Sequence, residues 1–223
     1  LESQILLSKE VNDLHIGRIL LSFGPQNKAE LNIEIIRPKG KGPFPVFLTQ
    51  PFHKRWAIKA VERGYVACIY NGDDFKDDTK AYRSIWPDCD WSALTRRAFS
   101  ASRSIDYLFT LDFIDKNKIA IIGHSRNGKQ VLIAAAMDER ISAVIPVSSG
   151  QGGACPARYF NESCFGESIE MITRAFPDWF CNNYRFFSGR ENRLPVESNI
   201  LLALIAPRSL LICEAANDGC SSI

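Results

Sequence analysis

Hydrophobic and polar positions alternate residue by residue in two early segments, Ile16 to Phe23 and Ala29 to Arg37, which is the spacing of half-buried strands. The turn Gly24-Pro25-Gln26-Asn27 between them predicts an antiparallel hairpin at a sheet edge. Beyond the loop Lys39-Gly40-Lys41-Gly42-Pro43, Pro45 to Thr49 reads as a short apolar strand and Trp56 to Arg63 as a helix stopped by Gly64. Tyr65 to Tyr70 is apolar throughout, the mark of a strand buried on both faces. From Trp91 to about Leu111 the apolar residues fall at helical spacing, with Leu94, Ala98, Ala101, Ile105 and Leu108 on one side. Lys118 to Ile122, Ile141 to Val147 and Leu210 to Cys213 read as further strands, with a helix from Asn127 to Met137 between the first two.

Strands that alternate with helices predict an α/β fold with a mostly parallel sheet and helices on both faces. The residues 150–199 break that rhythm. Small residues (GQGGACPA) give way there to Phe165, Phe176, Trp179, Phe180, Tyr184, Phe186 and Phe187. This stretch is expected to be a helical excursion above the strand ends, where substrate pockets of such sheets lie. The whole of 1–223 is expected to form one domain.

Composition excludes more than it selects. A formal net charge of +2 with no basic run gives no reason to expect a nucleic-acid partner. No apolar stretch approaches the roughly 18 residues that span a membrane. The seven cysteines contain no CxxC pair, so a zinc site is not expected, and Cys68 and Cys213 lie in apolar runs as buried thiols. Asp73, Asp74, Asp77 and Asp78 crowd one loop, but their spacing lacks the geometry of a dedicated calcium site. That loop is expected to be a solvated rim, and no metal or organic cofactor is expected.

The chemistry-bearing segment is KIAIIGHSRNGKQVLIAAA, which sets Ser125 in a sharp turn between a buried strand and an alanine-rich helix. A serine so placed stands clear of the sheet, and the helix N-terminus offers N–H groups to a developing oxyanion. The usual G-x-S-x-G pattern is modified: Asn127 stands fifth and Gly128 follows it.

The stretch GHSRNGK resembles the G-x-S-R-x-G-K elbow of glucuronoyl esterases (carbohydrate esterase family fifteen) and their bacterial α/β-hydrolase relatives. WPDCDWSALTRRAFSASRSIDYL, DERISAVIPVSSGQGG, ITRAFPDWF and RLPVESNILLALIAPRSLL are similar to further segments of that group, so the likeness runs from about Pro45 to Asp218. It implies the α/β-hydrolase fold and a serine nucleophile at Ser125. Arg126 matches the arginine that holds the oxyanion, and Lys129 the lysine that contacts sugar hydroxyls. Trp179 matches the family's aromatic, placed either to stack on a sugar face or to pack in the core. His53, after the Pro45 strand, is a substrate-side candidate. The glutamate that many members carry after the strand following the elbow is Ser148 here, which moves the expected acid to Asp218. No glutamate stands between Ala175 and Asp178, where fungal members bind the uronate, and Gly219 replaces the tryptophan that follows the acid.

The histidines are His15, His53 and His124. None has the position of the family's base, and the terminal strand, histidine loop and final helix of the fold do not fit after Ile223. The base is therefore expected beyond this chain, and the fragment alone is expected to be inactive. The implied activity is hydrolysis of a carbohydrate-linked, glucuronoyl-type ester in a small molecule or polysaccharide. The alternatives are an acetyl xylan esterase-like hydrolase and a non-catalytic binding protein of the same fold. A plant-polysaccharide substrate would place the protein in the periplasm or outside the cell, any other in the cytoplasm.

Overall fold

The computed structural model describes residues 1–73, 75–159 and 167–215. Its strands form one sheet in the order β1-β2-β3-β5-β4-β6-β7-β8. The first three, β1 (Glu2–Val11), β2 (Leu14–Phe23) and β3 (Ala29–Pro38), make an antiparallel meander. The predicted hairpin is its second half. β1 is an addition: its residues are almost all exposed, so no alternation betrays it, and it pairs with β2 alone. A turn signal does exist, because Asn12 and Asp13 take φ of 48° and 66°, the left-handed pair that closes a tight hairpin.

β3 pairs antiparallel with β5 (Val66–Ile69), and β5, β4 (Phe44–Thr49), β6 (Ile114–His124), β7 (Ala143–Val147) and β8 (Ser209–Leu210) run parallel. The last strand is shorter than expected, but Cys213 still bridges to Val147. Helix α1 (Lys54–Val61) covers Ile36, Ala67 and Ile69 on one face. A four-residue α2 (Tyr82–Ile85) precedes α3 (Ala93–Leu108), which packs with α4 (Arg126–Met137) on the other face. Ser92 starts α3, its Oγ accepting from Thr95 N at 3.2 Å. Leu94, Ala98, Ala101, Ile105 and Leu108 are all buried, as their spacing predicts.

Ile105 meets Leu48, Ile119, Ile121 and Val131 in one apolar cluster. Ile105→Ala is therefore expected to lower the unfolding free energy by about 2–5 kcal/mol, as core truncations do. Urea denaturation followed by circular dichroism measures it, and a loss below about 1 kcal/mol would refute this packing.

The excursion is helical in short pieces: Ala157–Tyr159, α5 (Ile169–Ala175), Tyr184–Phe187, Glu191–Arg193 and α6 (Ser198–Ala203). Phe176 stacks on Trp179 with centroids 3.8 Å apart, and Phe180 lies 4.7 Å from Tyr184. Asp178 O accepts from Ala93 N at 2.9 Å, which ties the excursion to the start of α3. Phe165 lies outside the described residues. No helix among the described residues is long and apolar enough to cross a membrane.

Candidate active site

Ser125 sits between β6 and α4 with φ 53° and ψ −122°. That conformation is unfavourable for a residue with a Cβ, and it is what lifts a nucleophile off the sheet. The turn is held by Ser125 N, which donates to Val147 O at 2.8 Å, and by Lys129 N, which donates to Ser125 O at 3.1 Å. The shifted glycine pattern has a steric reason. A Cβ on Gly123 would overlap the Asn127 carbonyl, and one on Gly128 would press on Ser149 Cβ at 3.0 Å and Val147 O at 3.1 Å. Position 127 itself tolerates a side chain, and Asn127 Nδ2 reaches Gly72 O at 3.3 Å.

Arg126 is buried beside the serine. Its Nη2 donates to Asp73 O, and its guanidinium carbon lies 5.1 Å from the centroid of the Trp179 ring. The same Asp73 carbonyl accepts from Arg97 Nη2 at 2.7 Å. The acidic loop is thus an anchor rather than the solvated rim its composition suggests. Asp78 Oδ2 accepts from Gly72 N at 2.6 Å and Asp73 N at 3.0 Å, while its Oδ1 takes Arg97 Nε at 3.0 Å. Asp77 pairs with Arg96, and both arginines are buried on α3. A buried guanidinium without its carboxylate is costly, so the loop folds inward to meet the helix. Asp74 lies outside the described residues.

Burial by itself would raise the Asp77 carboxyl. The hydrogen bond from Thr79 and the charge of Arg96 outweigh it and hold the group below the usual carboxylate range. Glu34, Asp138 and Glu197 are depressed in the same way. Groups depressed in the folded state stabilise it fully above their unfolded values, about 3.9 for Asp and 4.3 for Glu, and that stability is lost as pH falls through the folded values. The melting temperature is expected to hold near neutrality and drop below about pH 4. Asp77→Asn should flatten part of that drop in calorimetry, and an unchanged acid limb would contradict the pairing.

The sequence reads Lys129 as a contact for sugar hydroxyls. The structure places its ammonium in the interior, donating to Ser149 O at 2.7 Å and Glu167 Oε2 at 2.8 Å, and 5.9 Å from the Trp179 ring centroid. Trp179 is half-buried, and the charged groups of Arg126 and Lys129 lie 5.1 and 5.9 Å from its ring centroid. His53 does come to the elbow, with its ring centroid 6.1 Å from that of His124, but it is buried rather than open to a substrate. It stacks on Trp56 at 4.5 Å, and its Nδ1 lies 3.2 Å from Gln50 Oε1. His124 is exposed at the end of β6, and His15 bonds to Ser8 Oγ far along the meander. Asp218 lies outside the described residues.

Several participants escape a reading of the sequence alone. Arg96 and Arg97 carry a signal, two charges in the helix whose apolar side faces the core. Glu167 and Glu214 carry none, because each meets its partner across a long separation: Glu214 Oε1 accepts from Ser149 N at 2.9 Å, 65 residues away. Cys68 is a buried thiol as expected, its pKa pushed up to about 12 by burial, whereas Cys213 is half-buried.

The model of a family described as glucuronyl esterase of fungi matches residues 24–222. The carbohydrate esterase MZ0003 of an unknown prokaryotic organism is 38% identical over 177 residues, covering 74% of this chain. The 4-O-methyl-glucuronoyl methylesterase of Podospora anserina is 30% identical over 192 residues, covering 80%. The chain spans 40% of the length of each of these two relatives. Among solved structures, a promiscuous CE15 esterase from a marine bacterial metagenome superposes with a TM-score of 0.80 at 26% identity, covering 99% of this chain and 69% of that one. The glucuronoyl esterase of Solibacter usitatus, at 24% identity, shares the fold with a TM-score of 0.83 over 97% of this chain and 68% of that one. With the family model matched over most of its length and the serine elbow built as described, the chain belongs to the glucuronoyl esterase family of α/β-hydrolases.

Proposed function

We propose that the protein carrying this chain is a serine carboxylesterase that hydrolyses a carbohydrate-linked ester of the glucuronoyl type. The observation that carries the reading is Ser125 at φ 53° on the β6–α4 turn, with the Arg126 guanidinium locked beside it. Ser125 Oγ attacks the ester carbonyl, and the negative charge that develops on the carbonyl oxygen is met by Arg126 and the N–H groups at the start of α4. Loss of the alcohol leaves an acyl-enzyme, which water then hydrolyses. A base takes the Ser125 proton, and an acid in the loop after β8 orients that base. No metal or organic cofactor enters these steps.

Relatives named 4-O-methyl-glucuronoyl methylesterases support the glucuronoyl ester as substrate. An acetyl ester is the second reading, favoured by the burial of Lys129 against Glu167, which removes it from the sugar side. Full-length protein is to be assayed on benzyl glucuronate and p-nitrophenyl acetate beside its Ser125→Ala variant. Turnover of the first ester that needs Ser125 is the expected result. Preference for the acetyl ester selects the second reading. A folded protein inactive on both would point to a binding role or to an ester outside this pair.

A further inference from the structure

Glu214 follows the β8 strand, next to the end of β7. Its Oε1 accepts from Ser149 N at 2.9 Å and from Ser149 Oγ at 3.1 Å. Its Oε2 is buried and has no hydrogen-bond partner among the described residues. A buried carboxylate oxygen without a donor is unfavourable, and such an atom at a strand end points to a donor that arrives there in function.

The surroundings say which donor. Val147 O holds Ser125 N at 2.8 Å, and the next residue, Ser148, donates its N–H to Cys213 O at 2.8 Å. The nucleophile, the end of β7 and Glu214 are therefore linked by consecutive backbone hydrogen bonds across three adjacent strands. Ser148 occupies the place where many relatives are expected to carry their acid, and it supplies no charge. Glu214 brings a carboxylate to that same strand end from the neighbouring strand. Ser148 is itself held at φ 43°, so the turn that receives Glu214 is bent out of ordinary strand geometry.

We infer that Glu214 is the positioning carboxylate of the esterase, with Oε1 fixed by Ser149 and Oε2 reserved for an N–H of the imidazole that activates Ser125. The inference rests on the esterase reading and replaces Asp218 in the role expected from the sequence. As the Ser125 Oγ bond to the acyl carbon forms, the hydroxyl proton moves to the imidazole. The imidazolium returns that proton to the alcohol oxygen as the ester C–O bond breaks. Glu214 accepts the other ring N–H throughout and takes no proton from it.

The test is steady-state kinetics of the full-length protein on the ester it turns over, with Glu214→Gln, Asp218→Asn and Ser125→Ala. Glu214→Gln keeps an oxygen to cap Ser149 but removes the charge. It is expected to lower kcat at least about a hundredfold with KM changed less than about threefold. The acid limb of the kcat/KM profile should move to lower pH, because the imidazolium loses its carboxylate. Asp218→Asn should stay within about fivefold of wild type. Restoring activity in Glu214→Gln by adding Ser148→Glu would support the inference further. Glu214→Gln within about twofold of wild type with an unmoved acid limb, or a fall confined to Asp218→Asn, would overturn it. Should Glu214→Gln not fold, Glu214→Asp takes its place: a loss of tenfold or more in kcat supports the inference, and an unchanged kcat overturns it. A folded wild type inactive on every ester overturns the esterase reading and this inference together, whereas an active wild type with an indifferent Glu214 overturns only this one.

Discussion

Ser125→Ala in the full-length protein is expected to lower kcat by about five to six orders of magnitude, the loss seen when a serine hydrolase is stripped of its nucleophile. The fold should not notice the change. The bond that holds residue 125 in place runs from its backbone N–H to Val147 O, and the side chain makes no cap at the start of α4. Circular dichroism and the denaturation midpoint are expected to match wild type. Ser125→Gly separates strain from chemistry: at φ 53° removal of the Cβ relieves roughly 1 kcal/mol of backbone strain. That variant should be as inactive as Ser125→Ala yet slightly more stable. Activity retained in either variant would remove Ser125 from the mechanism.

Arg126→Ala carries the second large expectation, a fall in kcat of about a hundredfold to a thousandfold, the cost of deleting one donor to an oxyanion. The guanidinium is fixed before substrate arrives, by its bond to Asp73 O and by its contact with the Trp179 ring. Such a group contributes most where charge develops, so kcat should fall while KM stays near its wild-type value. Arg126→Lys is expected to recover little, because an ammonium cannot span both the Asp73 carbonyl and the reacting oxygen as a planar fork does. A rise in KM with kcat unchanged would make Arg126 a substrate-binding residue instead. Arg97 shares the Asp73 carbonyl, so its removal should produce a weaker version of the same defect by loosening the loop.

Three of the site's features were written into short stretches of sequence. The elbow is local: a buried strand, small residues at 123 and 128, and the start of an alanine-rich helix suffice to set Ser125. The β2–β3 hairpin follows from alternation, and the core side of α3 from helical spacing. In each case neighbours within a few residues decide the conformation, and a pattern within one element records it. β1 escaped because an edge strand exposed on both faces needs no alternation.

What the tertiary structure alone decided is which distant charges meet. The acidic loop reads as a solvated surface until Arg96 and Arg97 are seen pointing from the buried side of α3 onto Asp77 and Asp78, 19 residues away. Lys129 reads as a ligand contact until Glu167 and Ser149 O are found to occupy it. Glu214 reads as nothing until β8 docks beside β7 and carries it to Ser149. Hydrophobic periodicity is a property of one segment against a generic apolar partner. Desolvating an ion requires one particular partner, and only the packed arrangement of strands and helices selects it.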